Sequence, residues 1–466
     1  MKTKKEAISI LHAPEYLAII LVTILLVACN PDFHTTLFNR TTITTPVPDK
    51  FTDGPVIEDL FSENISNFSM FLAYKNRIYI GPNSSENTFL RLNADGTNQE
   101  EASLVFHGES GTTTTLDPGP DSEDGIDFFI SGFIDGTEYL FIGPSKSGGQ
   151  LNYLYYTTDS GTDLDFDYID INSVLGPQSK GISSMHTFNN NLYVSSPDTG
   201  AWKPRFSKIS SIVSNPVDGT DVFNLEAGDM PGLGSENNEA YILGIDTIAD
   251  FNSRLYIADG GSNASGVDGA IYRSKNNDPG DYFNFPDHWL NITPAGNPEW
   301  NKGGTRFSNE LPGTNKLTPA MKAFPAMVVF NDLLYVIRNT NGTAGGPQLW
   351  KYDRTDWELV AANGTGISNM SNSNNSHVTL LVVNGERLYI GYNNSSDGLQ
   401  IWRTKSCITD PATEIDFESV STDGFGDAVN NKEIYHSLSM YVNSTDYLWV
   451  LCGSESGSLR VYRTMN

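Results

Sequence analysis

Seven short segments of this chain read alike, and they constrain its fold more than any other feature. They are Arg77-Ile-Tyr-Ile-Gly81, Tyr139-Leu-Phe-Ile-Gly143, Asn191-Leu-Tyr-Val-Ser195, Arg254-Leu-Tyr-Ile-Ala258, Leu333-Leu-Tyr-Val-Ile337, Arg387-Leu-Tyr-Ile-Gly391 and Tyr447-Leu-Trp-Val-Leu451. Each is a β-branched and aromatic run of strand type. The aromatic at its centre falls at positions 79, 141, 193, 256, 335, 389 and 449. A recurrence of about sixty residues exceeds ankyrin or leucine-rich repeats and suits a four-stranded unit with long loops.

The neighbourhood of each marker supplies the other three strands. Before most markers stands an apolar run closed by a turn pair, as in Ala326-Met-Val-Val-Phe330 before Asn331-Asp332 and Thr379-Leu-Leu-Val-Val383 before Asn384-Gly385, a hairpin signal. After each marker comes a Gly/Asn/Ser-rich loop and a third strand, such as Leu349-Trp-Lys-Tyr352 or Ile401-Trp-Arg403. A more polar fourth strand follows, as in Asp356-Trp-Glu-Leu-Val360 and Asp416-Phe-Glu-Ser-Val420. Four strands, apolar within and polar without, describe a propeller blade. The expectation is an all-β chain forming a single β-propeller of about seven four-stranded blades. Because the sequence stops at Asn466, just after the seventh third strand, the missing strand is expected from residues 36 to 62. That segment would close the ring and remove its exposed edges.

The tract from Leu388-Tyr-Ile-Gly-Tyr-Asn393 through Gly398-Leu-Gln-Ile-Trp-Arg-Thr404 to Thr422-Asp-Gly-Phe-Gly-Asp-Ala-Val-Asn-Asn431 resembles the degenerate propeller repeat of many bacterial and archaeal surface proteins. Only this sixth unit keeps the polar consensus. Thr158-Asp159-Ser160-Gly161 is similar to an Asp-box of sialidase-type propellers, although the aromatic that should follow is displaced.

The N-terminus sets the expected address. Lys2, Lys4 and Lys5 precede an uncharged apolar stretch from Leu17 to Ala28, the pattern of an export signal. It is too short to span a hydrocarbon core, which takes roughly 20 apolar residues. Leu26-Val27-Ala28-Cys29 resembles the lipobox of bacterial lipoproteins. The resemblance implies a signal peptide over 1–28, a diacylated Cys29 at the head of a tether over 29–35, and a propeller domain over 36–466. Asn30 in place of Asp implies outer-membrane sorting. The formal net charge of -27 repels DNA, RNA and anionic headgroups, so no nucleic-acid partner is expected and membrane association rests on the lipid.

Chemistry is sparse in the rest of the chain. The blade scheme puts Cys407 and Cys452 at opposite ends of strands, farther apart than the roughly 7 Å that a disulfide allows, so no bridge is expected. Asp163-Leu-Asp165-Phe-Asp167 and the loop from Asp117 to Gly125 do not fit the EF-hand spacing. No cofactor is expected, with calcium in the loops left open. Neither G-x-S-x-G nor H-E-x-x-H occurs. His186, His377 and His436 fall in or just before the innermost strands, where acid–base work would need a carboxylate beside them.

The loops between second and third strands form the expected binding surface, as polar loops on a rigid scaffold usually do. Trp202, Lys203 and Arg205 in the third of these loops suit a hot spot or a stacked sugar, while packing of Trp202 over a neighbouring blade is the competing reading. Arg338, Asn339, His377 and His436 complete the candidate binding residues. Three functions stay open: a lipid-anchored envelope propeller that binds or scaffolds a protein or glycan, a polysaccharide hydrolase or lyase at the channel mouth, and a structural surface antigen.

Overall fold

The computed structural model describes residues 52–53, 70–83, 88–93, 96–98, 100–107, 113–114, 125–145, 153–170, 184–196, 205–212, 218–224, 245–259, 269–277, 289–294, 300, 323–340, 346–362, 370, 372–420, 423–442, 444–454 and 460–465. Lys50–Lys405 and Thr409–Asn466 belong to one compact unit, described below.

A two-residue strand, β1 (Thr52–Asp53), comes first. The next strands are β2 (Met70–Tyr74), β3 (Arg77–Asn83), β4 (Thr88–Asn93), β5 (Glu100–His107) and the short β6 (Thr113–Thr114). They are followed by β7 (Gly125–Ile134), β8 (Thr137–Ser145), β9 (Tyr153–Thr157) and β10 (Asp163–Asp170). Strands β2 to β10 make one nine-stranded sheet. The third repeat is β11 (Ser184–Phe188), β12 (Asn191–Ser196), β13 (Arg205–Ser211) and β14 (Asp218–Asn224). The fourth is β15 (Ile245–Phe251), β16 (Arg254–Asp259), β17 (Ala270–Ser274) and β18 (Trp289–Asn291). The fifth is β19 (Met327–Phe330), β20 (Leu333–Arg338), β21 (Gln348–Tyr352) and β22 (Trp357–Ala362). The sixth is β23 (Asn375–Asn384), β24 (Arg387–Asn394), β25 (Gln400–Thr404) and β26 (Phe417–Ser419). The last holds β27 (Glu433–Val442), β28 (Thr445–Gly453) and β29 (Arg460–Met465).

The fold is all-β and propeller-like, and one expectation needs correcting. Six sheets are present among the described residues, five of four strands and one of nine, rather than seven separate blades. The reason is local: the outer strands of the first two repeats, β5 and β10, pair in parallel from Ser103↔Asp163 to Phe106↔Phe166. An open edge strand is a template for pairing, and these two edges satisfy each other. The innermost strands still run in sequence order, with β2 against β7, then β11, β15, β19, β23 and β27, and β27 back against β2.

The last sheet has the order β1-β29-β28-β27, so its fourth strand comes from the other end of the chain. Thr52 pairs with Arg463 and Asp53 with Tyr462, antiparallel. This closing strand lies inside the segment expected to supply it.

Turns and core follow from the sequence pattern. Tight turns demand positive φ at both central residues, and Lys75/Asn76, Asn189/Asn190, Asn252/Ser253 and Asn331/Asp332 all adopt it. The sixth hairpin turns at Gly385, one residue later than the Asn-Gly pair begins. All seven marker aromatics are at most 1% exposed, which puts the second strand of each repeat at the centre of the packing. The cores lie between repeats: Leu448, Val450 and Tyr462 meet Leu380, Tyr389 and Ile401 on one side, while Trp449, Leu451 and Val461 meet Ile78, Ile80 and Leu90 of the first repeat on the other. Burying such a side chain contributes about 1.5–3 kcal/mol, so the last-to-first contact is itself a stabilising hydrophobic junction.

Candidate functional site

The innermost strands β11, β15 and β19 border a cleft of about 510 Å³. Its polar residues are His186, Asp250, Asn252 and Asp332, and its apolar wall includes Ile248, Phe251 and Met327 to Val329. Strand alternation explains the mixture. In β15 Ala249 and Phe251 share a buried face, while Ile248 and the exposed Asp250 share the other, so an apolar and a charged residue stand side by side on one face. Phe251 anchors the turn by packing on Tyr256, ring centroids 5.8 Å apart. Asn252 and Asp332 sit in the turns that join first and second strands. The cleft therefore opens at the turn end of the strands, opposite the loops expected to bind.

His186 Nε2 lies 3.0 Å from Asp250 Oδ1, with side-chain exposures of 23% and 53%. The hydrogen bond from His186 is the main cause that holds the Asp250 carboxyl below its ordinary range. An ionised carboxylate only accepts, so in this pair Nε2 carries the hydrogen and donates it to Asp250. An imidazole oriented in this way by a carboxylate can bind a polar group or move a proton. The sequence pointed to His186 but not to its partner, because the pairing joins consecutive repeats.

Of the candidate binding residues, Trp202 and Lys203 lie outside the described residues. Arg205 opens β13, where its backbone pairs with Ser196 and Asn224. Arg338 and Asn339 are each 2% exposed and engaged internally. The Arg338 guanidinium stacks on Trp300 at 4.2 Å and Nη1 donates to the Trp300 carbonyl. Asn339 clasps the sixth repeat: Val378 N donates to Asn339 Oδ1 at 2.9 Å and Asn339 Nδ2 donates to Val378 O at 3.0 Å. His377 is half-buried on β23 beside Ser376 Oγ at 2.8 Å, and burial pushes its imidazole down to about 4. It is neutral near pH 7. His436 is half-buried on β27 opposite Leu451, next to a bulge after Ile434.

The Asn339 clasp recurs. Asn393 Oδ1 accepts from Ile434 N at 2.9 Å and from Thr379 Oγ1 at 3.2 Å, joining the sixth repeat to the seventh. Both asparagines stand four residues after their marker tyrosine, Tyr335 or Tyr389, a spacing visible in the sequence. At the corresponding place after Tyr256 stands Gly260, which has no side chain to offer. There the buried Asp246, from a bulge in β15, accepts from Phe324 N at 3.1 Å instead.

The loop after β24 is the best-described of the loops expected to bind. Asn394 is fully buried and accepts from Ser396 N and Asp397 N. Asp397 Oδ2 accepts from Asn372, Asn374 and Asn394 amides at 3.0–3.3 Å, and these hold its carboxyl below the ordinary range. Among the described residues no group of three His, Cys, Asp or Glu side chains is placed to hold a metal ion. Cys407 and Cys452 are both free thiols. Among the described residues no helix is long and apolar enough to cross a membrane.

No protein-family model matches this chain, and no curated protein matches it. Among solved structures it is similar to an ancestral GH74 enzyme, with a TM-score of 0.50 and 9% identity, over 86% of this chain and 48% of that one. It also matches the polysaccharide lyase Uly1, with a TM-score of 0.48 and 12% identity, over 90% and 97% of the two chains. A Trypanosoma rangeli sialidase matches with a TM-score of 0.42 and 12% identity, over 78% and 57%. The chain thus spans about half the length of the GH74 enzyme. At 9% identity the likeness to the GH74 enzyme shows the fold alone, a β-propeller, and propellers host many unrelated functions.

Proposed function

We propose that this chain is a lipid-anchored cell-envelope propeller, held through Cys29, that binds a glycan in the cleft between β11, β15 and β19. The observation that supports the reading is the His186–Asp250 pair at the edge of a cleft of about 510 Å³ with an apolar wall. Ligand sites are commonly clefts of about 300–1,000 Å³ with apolar walls and a few convergent polar groups, and a sugar ring offers both a C–H face and hydroxyls. The strongly acidic sequence, with its net charge of -27, keeps nucleic acid out of the list of partners.

The test is a glycan array probed with the purified full chain, followed by calorimetry on the best binders. Binding that weakens about tenfold in His186→Gln, as loss of a charged-group hydrogen bond predicts, supports the reading. Absence of glycan binding overturns it. In the same experiment, Cys29→Ser is expected to move the protein from the membrane to the soluble fraction.

The same pair supports a second reading, a hydrolase or lyase in which the carboxylate-held imidazole moves a proton. Shortening of the bound oligosaccharide over time, abolished in His186→Gln, would favour that reading over simple binding.

A further inference from the structure

The charge pattern of this cleft goes further than its shape. We infer that its ligand is a glycan carrying free primary amines, a polymer of unacetylated hexosamine units. The inference rests on the glycan reading above and narrows it. Among the described residues that border the cleft, the ionisable groups are Asp250, Asp332 and His186, with no lysine or arginine. Asp250 uses Oδ1 on His186 and its side chain remains 53% exposed. Asp332 sits exposed in its turn with φ of 61°. Two carboxylates on the rim of a cleft suit an ammonium group, since charge-assisted hydrogen bonds are about twice as strong as neutral ones. The net charge of -27 adds a long-range attraction for cations.

The wall decides which kind of ammonium fits. Ile248 and Phe251 are buried and back the wall, while the half-buried Met327, Val328 and Val329 leave apolar surface open in the same cleft as the carboxylates. A hexosamine ring presents an amine and an apolar C–H face on one rigid frame, so one molecule meets both features with little ordering cost. A lysine side chain carries the same charge on a flexible stem with about 2 kcal/mol of rotamer entropy to lose.

Isothermal titration of the full chain with four tetramers separates the outcomes: glucosamine, N-acetylglucosamine, glucose and lysine. The glucosamine tetramer is expected to bind at least about tenfold more tightly than the other three, with the preference lost in Asp332→Asn. Raising the salt concentration should weaken that binding and leave any neutral ligand unaffected. Asp332 is exposed in a turn that asparagine tolerates, so this variant keeps the fold, as an unchanged melting midpoint would verify. Equal or tighter binding of either neutral tetramer overturns the amine inference and leaves the glycan reading standing. Tighter binding of the lysine tetramer overturns it in favour of a basic peptide. Binding of none of the four overturns it too, and the array then decides separately on the glycan reading.

Discussion

The first two repeats and the last two are joined in different ways, although their hairpins are alike. Between the sixth and seventh repeats the link is built of backbone and amides: Leu399 N donates to Asn431 O, Gly424 N to Leu399 O, and Asn394 N to Lys432 O. Asn431 Nδ2 reaches both Gly424 O and Tyr462 OH, and Phe425 stacks on Tyr462 at 4.0 Å. Between the first and second repeats the outer strands themselves pair, and side chains of the first reach carbonyls of the second. Tyr74 OH donates to Thr157 O, Lys75 Nζ to Thr158 O, and Arg91 Nη1 to Ser160 O and Gly161 O. The Asp-box-like segment thus serves here as a row of acceptors. A link of backbone and amide hydrogen bonds is one solution to joining blades; shared sheet edges plus one buried arginine are another.

Three experiments would break or sharpen this contrast. The largest effect is expected from Gly398→Ala. Gly398 has φ of +91°, and an added Cβ would lie 2.7 Å from Gly424 N and 2.8 Å from Ala428 Cα, backbone that cannot swing away. A loss of about 3 kcal/mol is expected from the clash and the positive φ together, read as a lower urea midpoint. An unchanged midpoint would show that the link contributes little.

Arg91→Met comes next. Arg91 is 5% exposed and also meets Glu100, so its removal breaks its hydrogen bonds to the carbonyls of the exposed Ser160 and Gly161 at a cost of about 1 kcal/mol. Hydrogen exchange should rise over 100–107 and 157–166 and stay constant over 394–432. Equal acceleration in both regions would mean that the two joints unfold as one.

The smallest effect near pH 7, growing only as the solution is acidified, concerns His377. Its imidazole is pushed from 6.5 down to about 4 by burial, so between those values the unfolded chain takes up a proton that the folded chain refuses. Stability therefore falls as pH drops from about 6.5 towards 4. In His377→Gln the melting midpoint should lose that part of its pH slope. A slope identical to that of the parent would place the titration elsewhere.

Much of the fold was legible in the sequence because one pattern does most of the positioning. The marker aromatics are the buried centres of the second strands, the Asn/Asp pairs are the turns, and a strand within 36–62 completes the last sheet. The merger of the first two sheets was not legible. It depends on two outer strands meeting side by side, and outer strands carry the weakest pattern. The cleft was only half legible for a similar reason: His186 stood out as a rare residue on an inner strand, whereas Asp250 is one acid among many until the strands of two repeats are set together. Arg338 and Asn339 looked like loop residues because the loop begins there, yet both side chains turn inward.

The closing strand has a consequence for how this chain reaches its folded state. Thr52 pairs with Arg463, so the final hydrogen bonds unite segments separated by nearly the entire chain. Local hairpins can form as they emerge, but this pairing must wait for the last repeat, and contacts of such long sequence separation form slowly. Until then the seventh repeat presents an unpaired edge. The interval before closure is therefore the period in which the chain is most exposed to aggregation and proteolysis, and a truncation that removes 52–53 should lengthen it indefinitely.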